Sequence, residues 1–280
     1  MTEKEIVHKE EITYFLRHML DIAGNEVKQG IDYEKQFKKR LKFQSKTDWK
    51  RYRASIDLLD DTEYAIISAF EYQLGDLGNK NKDFNGIYLR LYGILNAVYL
   101  QMSAFEELAC LLNYSSRDNI TDLFKQLDIY KLRNIAGAHT LDYKYDPTIL
   151  ENEQKTSFRI YQCYLEETGN NISALSQHGK ILEYNLLDIL NEYEEKARAL
   201  LILITKHAIK NLVNDKNHRV ELTKQLDEKV KNLIDYLQID KNKIHTEKKL
   251  KEERIKIEKL LKEYENLEDL AMIKIPGFED

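Results

Sequence analysis

The chain has 280 residues, and 42% of them are hydrophobic, which is enough apolar material for a sizeable core and argues against a disordered chain. Only two prolines and ten glycines occur, while Leu, Lys, Glu and Ile are abundant, so the composition favours an all-α protein of mainly long helices over a β-sandwich or barrel. A net charge of −5 argues against a protein that coats long nucleic acid with a wholly basic surface.

The amino terminus predicts neither secretion nor membrane insertion. Residues 1–5 lack the pattern of a signal peptide, and no apolar run approaches about 18 residues. Cys110 and Cys163 have no neighbour at metal-ligand spacing, and the sequence holds no glycine-rich phosphate loop or dinucleotide fingerprint. We therefore expect a cytoplasmic protein that has free thiols, binds no membrane and uses no metal or other cofactor.

The first 46 residues are predicted to form N-terminal helices. Thr2 and Glu5 match a capping box, and helically spaced apolar residues continue the first helix to about Val27. After a turn, a second, short helix is expected over residues 33–43.

The stretch from Tyr33 to Arg53 is strongly basic, with nine Lys and Arg residues against two acidic ones. Aromatic residues are interleaved, and this combination is typical of surfaces that follow a nucleic-acid backbone and stack its bases. The alternative is a solvated helix face whose aromatic side chains turn inward. The candidate RNA-binding cations are Lys38, Lys39, Arg40, Lys42, Lys50, Arg51 and Arg53, and the interleaved aromatic residues are Tyr33, Phe37, Phe43, Trp49 and Tyr52.

Residues 47–214 are predicted to form one helical domain with a β-hairpin insertion. Helical periodicity sustains a helix of more than about 25 residues from Asp48. The run Ile87–Leu112 is apolar on most sides and is the expected core helix. A shorter helix is expected to begin near Ile120, and the residues around Arg133 fall either in this helix or in one that follows it after Asp128.

The β-hairpin is expected around residues 157–176. Residues 157–165 are rich in aromatic and β-branched side chains, and a turn-forming sequence at 168–171 precedes the second strand, Ile172–Ser176. An isolated hairpin is only marginally stable, so it must pack on the helices.

Long helices are expected again over Leu182–Val213 and Asn217–Leu237. In the last 40 residues, apolar side chains recur every seven positions, which favours a helical hairpin or a short coiled coil. Residues 215–280 are therefore predicted to form a C-terminal helical arm.

The motif that carries chemistry is Arg133-Asn134 followed, after four further residues, by His139. Arginine supplies a permanent planar cation that matches a phosphate, and histidine moves protons near neutral pH. The alternative is structural: Asn134 caps a turn, His139 is a half-buried histidine with a backbone partner, and Arg133 holds an acidic side chain. Glu106 and Glu107 either contribute to the cleft of the site, or one of them is the acidic partner of Arg133.

In its helical context the motif resembles the hallmark of the HEPN superfamily, a group of α-helical domains that includes ribonucleases and toxins. In that hallmark an arginine, usually followed by a polar residue, is separated from a histidine by four to six residues. Here five residues lie between Arg133 and His139, and Asn134 takes the polar place. The long apolar helix from Ile87 is similar to the helix that packs against the motif helix in those domains, and the similarity covers about residues 47–214.

The resemblance implies a metal-independent RNA endonuclease whose cut leaves a 2′,3′-cyclic phosphate and a 5′-hydroxyl. His139 would then act as general base or acid, Arg133 would stabilise charge on the scissile phosphate, and Asn134 would orient the phosphate or His139. The resemblance also implies a role in prokaryotic defence or a toxin–antitoxin system, with RNA and an antitoxin or regulatory protein as partners.

The spacing of the motif leads to an expectation about assembly. Six residues turn a regular helix by about 600°, so His139 points about 120° away from Arg133. HEPN-like proteins typically pair two motif copies across a dimer interface, and the small residues Ala136, Gly137 and Ala138 would allow a second backbone to approach. We therefore expect a homodimer with a composite cleft.

Two other functions are open on the sequence. One is a non-catalytic dimeric helical interaction module, whose charged C-terminal helix captures another protein. The other is a nucleotide-binding sensor, in which Arg133 and the basic stretch hold a phosphate without cutting it.

Overall fold

A computed structural model of the chain has an all-α architecture with one small sheet, as predicted. It describes residues 12–18, 43, 45, 47–72, 74, 84–138, 158–160, 170–176, 179–213 and 215–241. Residues 12–18 are helical. The other elements are α1 (Asp48–Tyr72), α2 (Phe84–Leu111), α3 (Arg117–Lys125), α4 (Asp128–Ala138), β1 (Phe158–Ile160), β2 (Asn171–Ser176), β3 (Ile181–Asn185), α5 (Leu186–Leu212) and α6 (Lys216–Lys241).

Apart from the start of the helix expected over Leu182–Val213, the helices predicted from hydrophobic periodicity are confirmed where the structure describes them. The helix that starts at Asp48 is present, the apolar core helix is α2, and the motif lies on a separate helix that starts at Asp128. The predicted helix over residues 33–43 and the C-terminal arm beyond Lys241 lie outside the described residues.

The end of α2 is fixed by an asparagine in the left-handed conformation. Asn113 has a φ of 54°, which asparagine tolerates better than most residues that carry a Cβ. The backbone N–H of Tyr114 then donates to the carbonyl of Ala109 at 2.9 Å. The chain turns there into α3, where the Ser116 hydroxyl accepts a hydrogen bond from the Asn119 backbone N–H at 3.3 Å.

The sheet has three antiparallel strands in the order β1-β2-β3, one more than the predicted hairpin. β1 and β2 are the predicted pair, with Arg159 opposite Leu175, and β1 lies against α4. β3 corrects the sequence-based prediction, because it replaces the first turn of the helix expected over Leu182–Val213. Gly179, with a φ of 80°, provides the backbone conformation that the turn before β3 requires.

β3 passes into α5 without a loop. Asn185 is the last strand residue, and its side-chain Oδ1 accepts hydrogen bonds from the backbone N–H groups of Leu187 and Asp188 at 3.1 and 3.2 Å. This N-cap starts the helix at Leu186. The apolar residues on both sides of Asn185 obscure the boundary in the sequence.

The chain divides into two compact units, each discontinuous in sequence. The first unit contains the described residues of 61–103 and 121–194. The second contains those of 2–60, 104–120 and 195–280. The domain boundaries predicted after residues 46 and 214 stay predictions.

A polar cluster is buried in the first unit, where Gln101 of α2 joins two other helices. Its Nε2 donates to the Thr62 hydroxyl and to the Glu63 carboxylate of α1, both at 3.2 Å. The Tyr193 hydroxyl of α5 donates to the Gln101 Oε1 at 2.7 Å. Burial, together with the carboxylates of Glu194 and Glu63, raises the pKa of Tyr193 well above its ordinary value.

In the second unit, polar contacts tie the helices together at their ends. Arg17 donates to the Asp57 and Asp60 carboxylates of α1 at 2.6 Å each, which joins the helical segment 12–18 to α1. The Nε2 of His207 on α5 contacts the Leu112 carbonyl at 3.0 Å. α5 therefore provides a hydrogen-bond partner for a backbone carbonyl at the carboxyl end of α2.

Among the described residues, no helix is both long enough and apolar enough to cross a bilayer.

Replacing Tyr193 by Phe is expected to lower the free energy of unfolding by about 1–3 kcal/mol, because the Gln101 Oε1 loses its donor inside the core. Urea unfolding followed by circular dichroism measures this change. Tyr72, which is 55% exposed, provides the control, and Tyr72→Phe should change the free energy by less than about 0.5 kcal/mol.

Tyr193 also makes the free energy of unfolding decrease at alkaline pH. Because the pKa of Tyr193 is raised in the folded state, its contribution is complete below about pH 10 and is lost as the pH rises through the raised pKa. Tyr193→Phe should therefore flatten the alkaline decline, although buried Tyr52, whose pKa is also raised, keeps part of it. An equally steep decline in the variant would contradict this assignment.

Candidate functional site

The motif residues Arg133 and Asn134 lie on α4 at the edge of its buried stripe. That stripe consists of Ile129, Leu132 and Ala136, which follow helical spacing and are at most 1% exposed. Arg133 and Asn134 are half-buried. The packing of α4 therefore fixes both side chains next to the core while leaving them in reach of solvent.

Arg133 is held by an aromatic ring and an amide. Its guanidinium carbon lies 3.7 Å from the centroid of the Tyr99 ring on α2, and its Nη1 donates to the Asn134 Oδ1 at 3.1 Å. A cation over an aromatic face is attracted by the ring quadrupole, and this contact occupies a face of the guanidinium and not its N–H donors. Arg133 is thus oriented without being neutralised.

No carboxylate of the described residues lies within ion-pair distance of Arg133, which contacts the Tyr99 ring and the Asn134 amide. By contrast, Arg17 and Arg51 each pair with two carboxylates. A half-buried cation is stabilised most by an anion. Within the described part of the chain, the one feature that would mark Arg133 as a structural ion-pair residue is therefore missing.

The structural interpretation of the motif expects Glu106 or Glu107 to pair with Arg133, but both glutamates pair with other arginines. Arg117 lies 3.3 Å from the Glu106 carboxylate and 3.8 Å from that of Glu107. Glu107 also pairs with Arg51. The expectation that one of the two glutamates holds Arg133 is not met.

Gly137 lies one turn after Arg133 on the same side of α4. It is exposed, and a Cβ added at this position would meet no atom within 4 Å. Among the described residues there is therefore no steric need for glycine here, and none of them covers the helix surface at Gly137. The α4 helix runs to Ala138, and His139 lies outside the described residues.

The basic stretch is described only in its second half. Lys38, Lys39, Arg40 and Lys42 lie outside the described residues, as do Tyr33 and Phe37. Lys50 and Arg53 are exposed on α1. Arg51 is exposed as well, but its guanidinium is paired with Asp48 at 3.0 Å and with Glu107.

The aromatic residues of this stretch turn inward where they are described. Phe43 is 7% exposed and Tyr52 is completely buried, and burial raises the pKa of Tyr52. Trp49 is half-buried and stacks on Tyr52, with ring centroids 6.4 Å apart. Base stacking on Phe43 or Tyr52 is therefore wrong as a prediction, and the solvated helix face with inward aromatics describes this part of α1.

Tyr99 is the site residue that the sequence does not reveal. An aromatic residue on an apolar helix is usually a core residue, and its contact with Arg133 bridges 34 positions of sequence. The sequence gives one indication of this contact, which is the expectation that the long apolar helix α2 packs against the motif helix α4.

Comparisons with protein-family models, with curated proteins and with solved structures find no match to this chain. Within the described residues, no group of three or more His, Cys, Asp or Glu side chains is placed to hold a metal ion. Cys110 is exposed and forms no disulfide.

Gly137→Ala is expected to raise the free energy of unfolding by about 0.5–1 kcal/mol, because glycine within a helix is less stable than alanine and the added methyl group has space. Gly93 on α2 is the matched control, since it is also exposed with open space around it. Thermal unfolding should show a similar gain for Gly93→Ala. A loss of stability in Gly137→Ala would contradict the open surface beside Arg133.

Proposed function

We propose that this chain is a metal-independent RNA endonuclease of the HEPN type, with Arg133, Asn134 and His139 as its catalytic residues. The observation that supports this most is Arg133 itself, which is half-buried, oriented by Tyr99 and Asn134, and without a carboxylate partner among the described residues. Such a cation attracts an anion, and the planar guanidinium matches a phosphate group. The phosphodiester of RNA is an anion of this shape.

In the proposed reaction, His139 removes the proton of a ribose 2′-hydroxyl, and the 2′-oxygen attacks the neighbouring phosphorus. The bond from phosphorus to the 5′-oxygen breaks, and this oxygen takes up a proton and leaves as a hydroxyl group. The products are a 2′,3′-cyclic phosphate and a 5′-hydroxyl. Histidine suits both proton transfers because its ordinary pKa lies near neutral pH.

Arg133 has the electrostatic role in this reaction. Negative charge builds up on the phosphate oxygens as the 2′-oxygen attacks, and a fixed cation close to them lowers the barrier. Tyr99 and Asn134 hold the guanidinium in one place before RNA binds, so the reaction need not supply the cost of orienting it. Asn134 also directs either the phosphate or His139.

The proposed enzyme acts as a homodimer. On a regular helix His139 and Arg133 differ in direction by about 120°, and a second copy brings another Arg133 and His139 to the same cleft. Two histidines then serve as base and acid. The open helix surface at Gly137 supports a close approach of either a second copy or the substrate beside Arg133.

The exposed cations Lys50 and Arg53 are proposed to contribute to RNA binding in this function. Each can neutralise one phosphate without sequence preference. Arg51 contributes less, because its charge is already balanced by two carboxylates.

A nuclease that cuts RNA inside the cell must be restrained. The proposal therefore includes a cytoplasmic antitoxin or regulatory protein as a partner, and a role in prokaryotic defence or in a toxin–antitoxin system. This placement depends on the HEPN resemblance of the motif.

The proposal is tested by incubating purified protein with labelled single-stranded and structured RNA in EDTA. Wild type should cut and leave cyclic-phosphate ends. Arg133→Gln should reduce the rate by roughly 10²- to 10³-fold, and His139→Ala by roughly 10²- to 10⁴-fold. Lys131→Gln is the matched control, because it removes one exposed positive charge from the same helix and should leave the rate within about twofold.

Three results would contradict the nuclease. Uncut RNA across all substrates favours the interaction module, and saturable nucleotide binding at Arg133 without turnover favours the sensor. Equal cleavage by wild type and both motif variants would place the activity elsewhere. Sedimentation of the same samples at micromolar concentration gives the oligomeric state, and a strict monomer would remove the composite cleft.

The double variant Lys50→Gln, Arg53→Gln should bind single-stranded RNA more weakly and with a smaller dependence on salt. The slope of log affinity against log salt concentration should fall by about 1.4, since each lost phosphate contact contributes about 0.7. The double variant Lys125→Gln, Lys131→Gln changes the net charge equally and serves as control. An equal fall in slope in both would show a general charge effect and not an RNA contact.

A further inference from the structure

A groove with a volume of about 780 Å³ lies between the end of α5 and the first three turns of α6. Both helix segments belong to the second unit. Its lining includes Ile209, Lys210, Lys216, Arg219, Val220 and Lys224. We call it the α5–α6 groove, and its volume is that of a site for a small organic molecule.

Ile209 and Val220 supply the apolar part of the lining of the α5–α6 groove. Ile209 is 1% exposed, whereas Val220 is 62% exposed and offers most of this apolar surface. A valine this exposed is unfavourable in water and gains by contact with an apolar surface. The groove is therefore suited to the apolar part of a ligand.

The charges of the groove are unevenly balanced along its length. At one end Lys206 pairs with Asp227 at 3.0 Å, and Lys224 lies 3.9 Å from Glu228. At the other end Lys210, Lys216 and Arg219 have no carboxylate at ion-pair distance among the described residues. This basic end is suited to one compact anionic group.

Arg219 gives the basic end its geometry. Its side chain is half-buried, and its Nε is fully buried without a hydrogen-bond partner among the described residues. A planar guanidinium with two lysine charges beside it matches the oxygens of a phosphate monoester.

We propose that the α5–α6 groove binds a phosphate monoester that carries a flat apolar body, as a nucleoside monophosphate does. The phosphate lies at Lys210, Lys216 and Arg219, and the base lies on Ile209 and Val220. A continuous RNA strand fits less well, because its next phosphates would meet the carboxylates at the other end of the groove. This site uses none of the residues of the proposed nuclease and does not depend on that function.

The test is equilibrium dialysis of the full chain with four probes: adenosine monophosphate, adenosine, inorganic phosphate and decyl phosphate. Adenosine monophosphate should bind saturably and more tightly than the other three. Arg219→Gln should weaken its binding by roughly tenfold, the effect of one charge-assisted contact. Val220→Asp, a change at an exposed position, should also weaken binding, because a carboxylate replaces the apolar surface on which the base lies.

Two controls separate a loss of the site from a loss of the fold. Arg117→Gln removes an arginine of the same unit that is already paired with carboxylates, and it should bind adenosine monophosphate as wild type does. Measuring Arg219→Gln also in an Arg133→Gln background separates this site from the proposed catalytic one, and the roughly tenfold loss due to Arg219 should be the same there. Thermal unfolding of Arg219→Gln should match that of wild type.

Four results would overturn the proposal. They are no binding of adenosine monophosphate, equal binding by wild type and Arg219→Gln, inorganic phosphate bound as tightly as the nucleotide, and decyl phosphate bound more tightly than the nucleotide. The third removes the role of the apolar lining, and the fourth replaces the base by an alkyl chain.

Discussion

One buried amide determines how the first unit is arranged. Gln101 is the buried polar side chain of α2 among the described residues, and its bonds to Thr62, Glu63 and Tyr193 can form in only one rotation of the helix. Tyr99 lies two residues earlier, about 200° around the helix from Gln101. The network that turns Gln101 towards α1 and α5 thereby turns Tyr99 towards Arg133. The buried hydrogen bonds of Gln101 and the position of Tyr99 beside Arg133 therefore depend on the same rotation of α2.

The sequence predicts the helices of this fold well, because each carries a long apolar period that tertiary packing then uses. The buried stripe of α4 and the start of α1 at Asp48 are examples. β3 is the exception. Its residues, Ile181–Asn185, are as apolar as the helix after them, and the two signals that separate strand from helix, Gly179 and the Asn185 cap, are single residues. Periodicity averages over a window and does not detect them.

The sequence predicts which residues form the candidate site, but it does not predict what those residues contact. The spacing of Arg133 and Asn134 identifies the motif, yet their environment depends on which helix packs beside α4. The same holds for Arg51, a cation by sequence that Glu107 neutralises across 56 positions of chain. The directions of Phe43 and Tyr52 are likewise set by packing, since an aromatic residue in a basic run has no preferred side until the core exists.

Because β3 joins α5 directly, the sheet fixes the rotation of α5 about its own axis. Asn185 is bonded both to the sheet, through Asn171, and to the first turn of α5, so no loop absorbs a change between them. One residue inserted into β3 would turn α5 by about 100° and carry Tyr193 away from Gln101. The structure therefore tolerates a substituted residue in this stretch better than an inserted or deleted one.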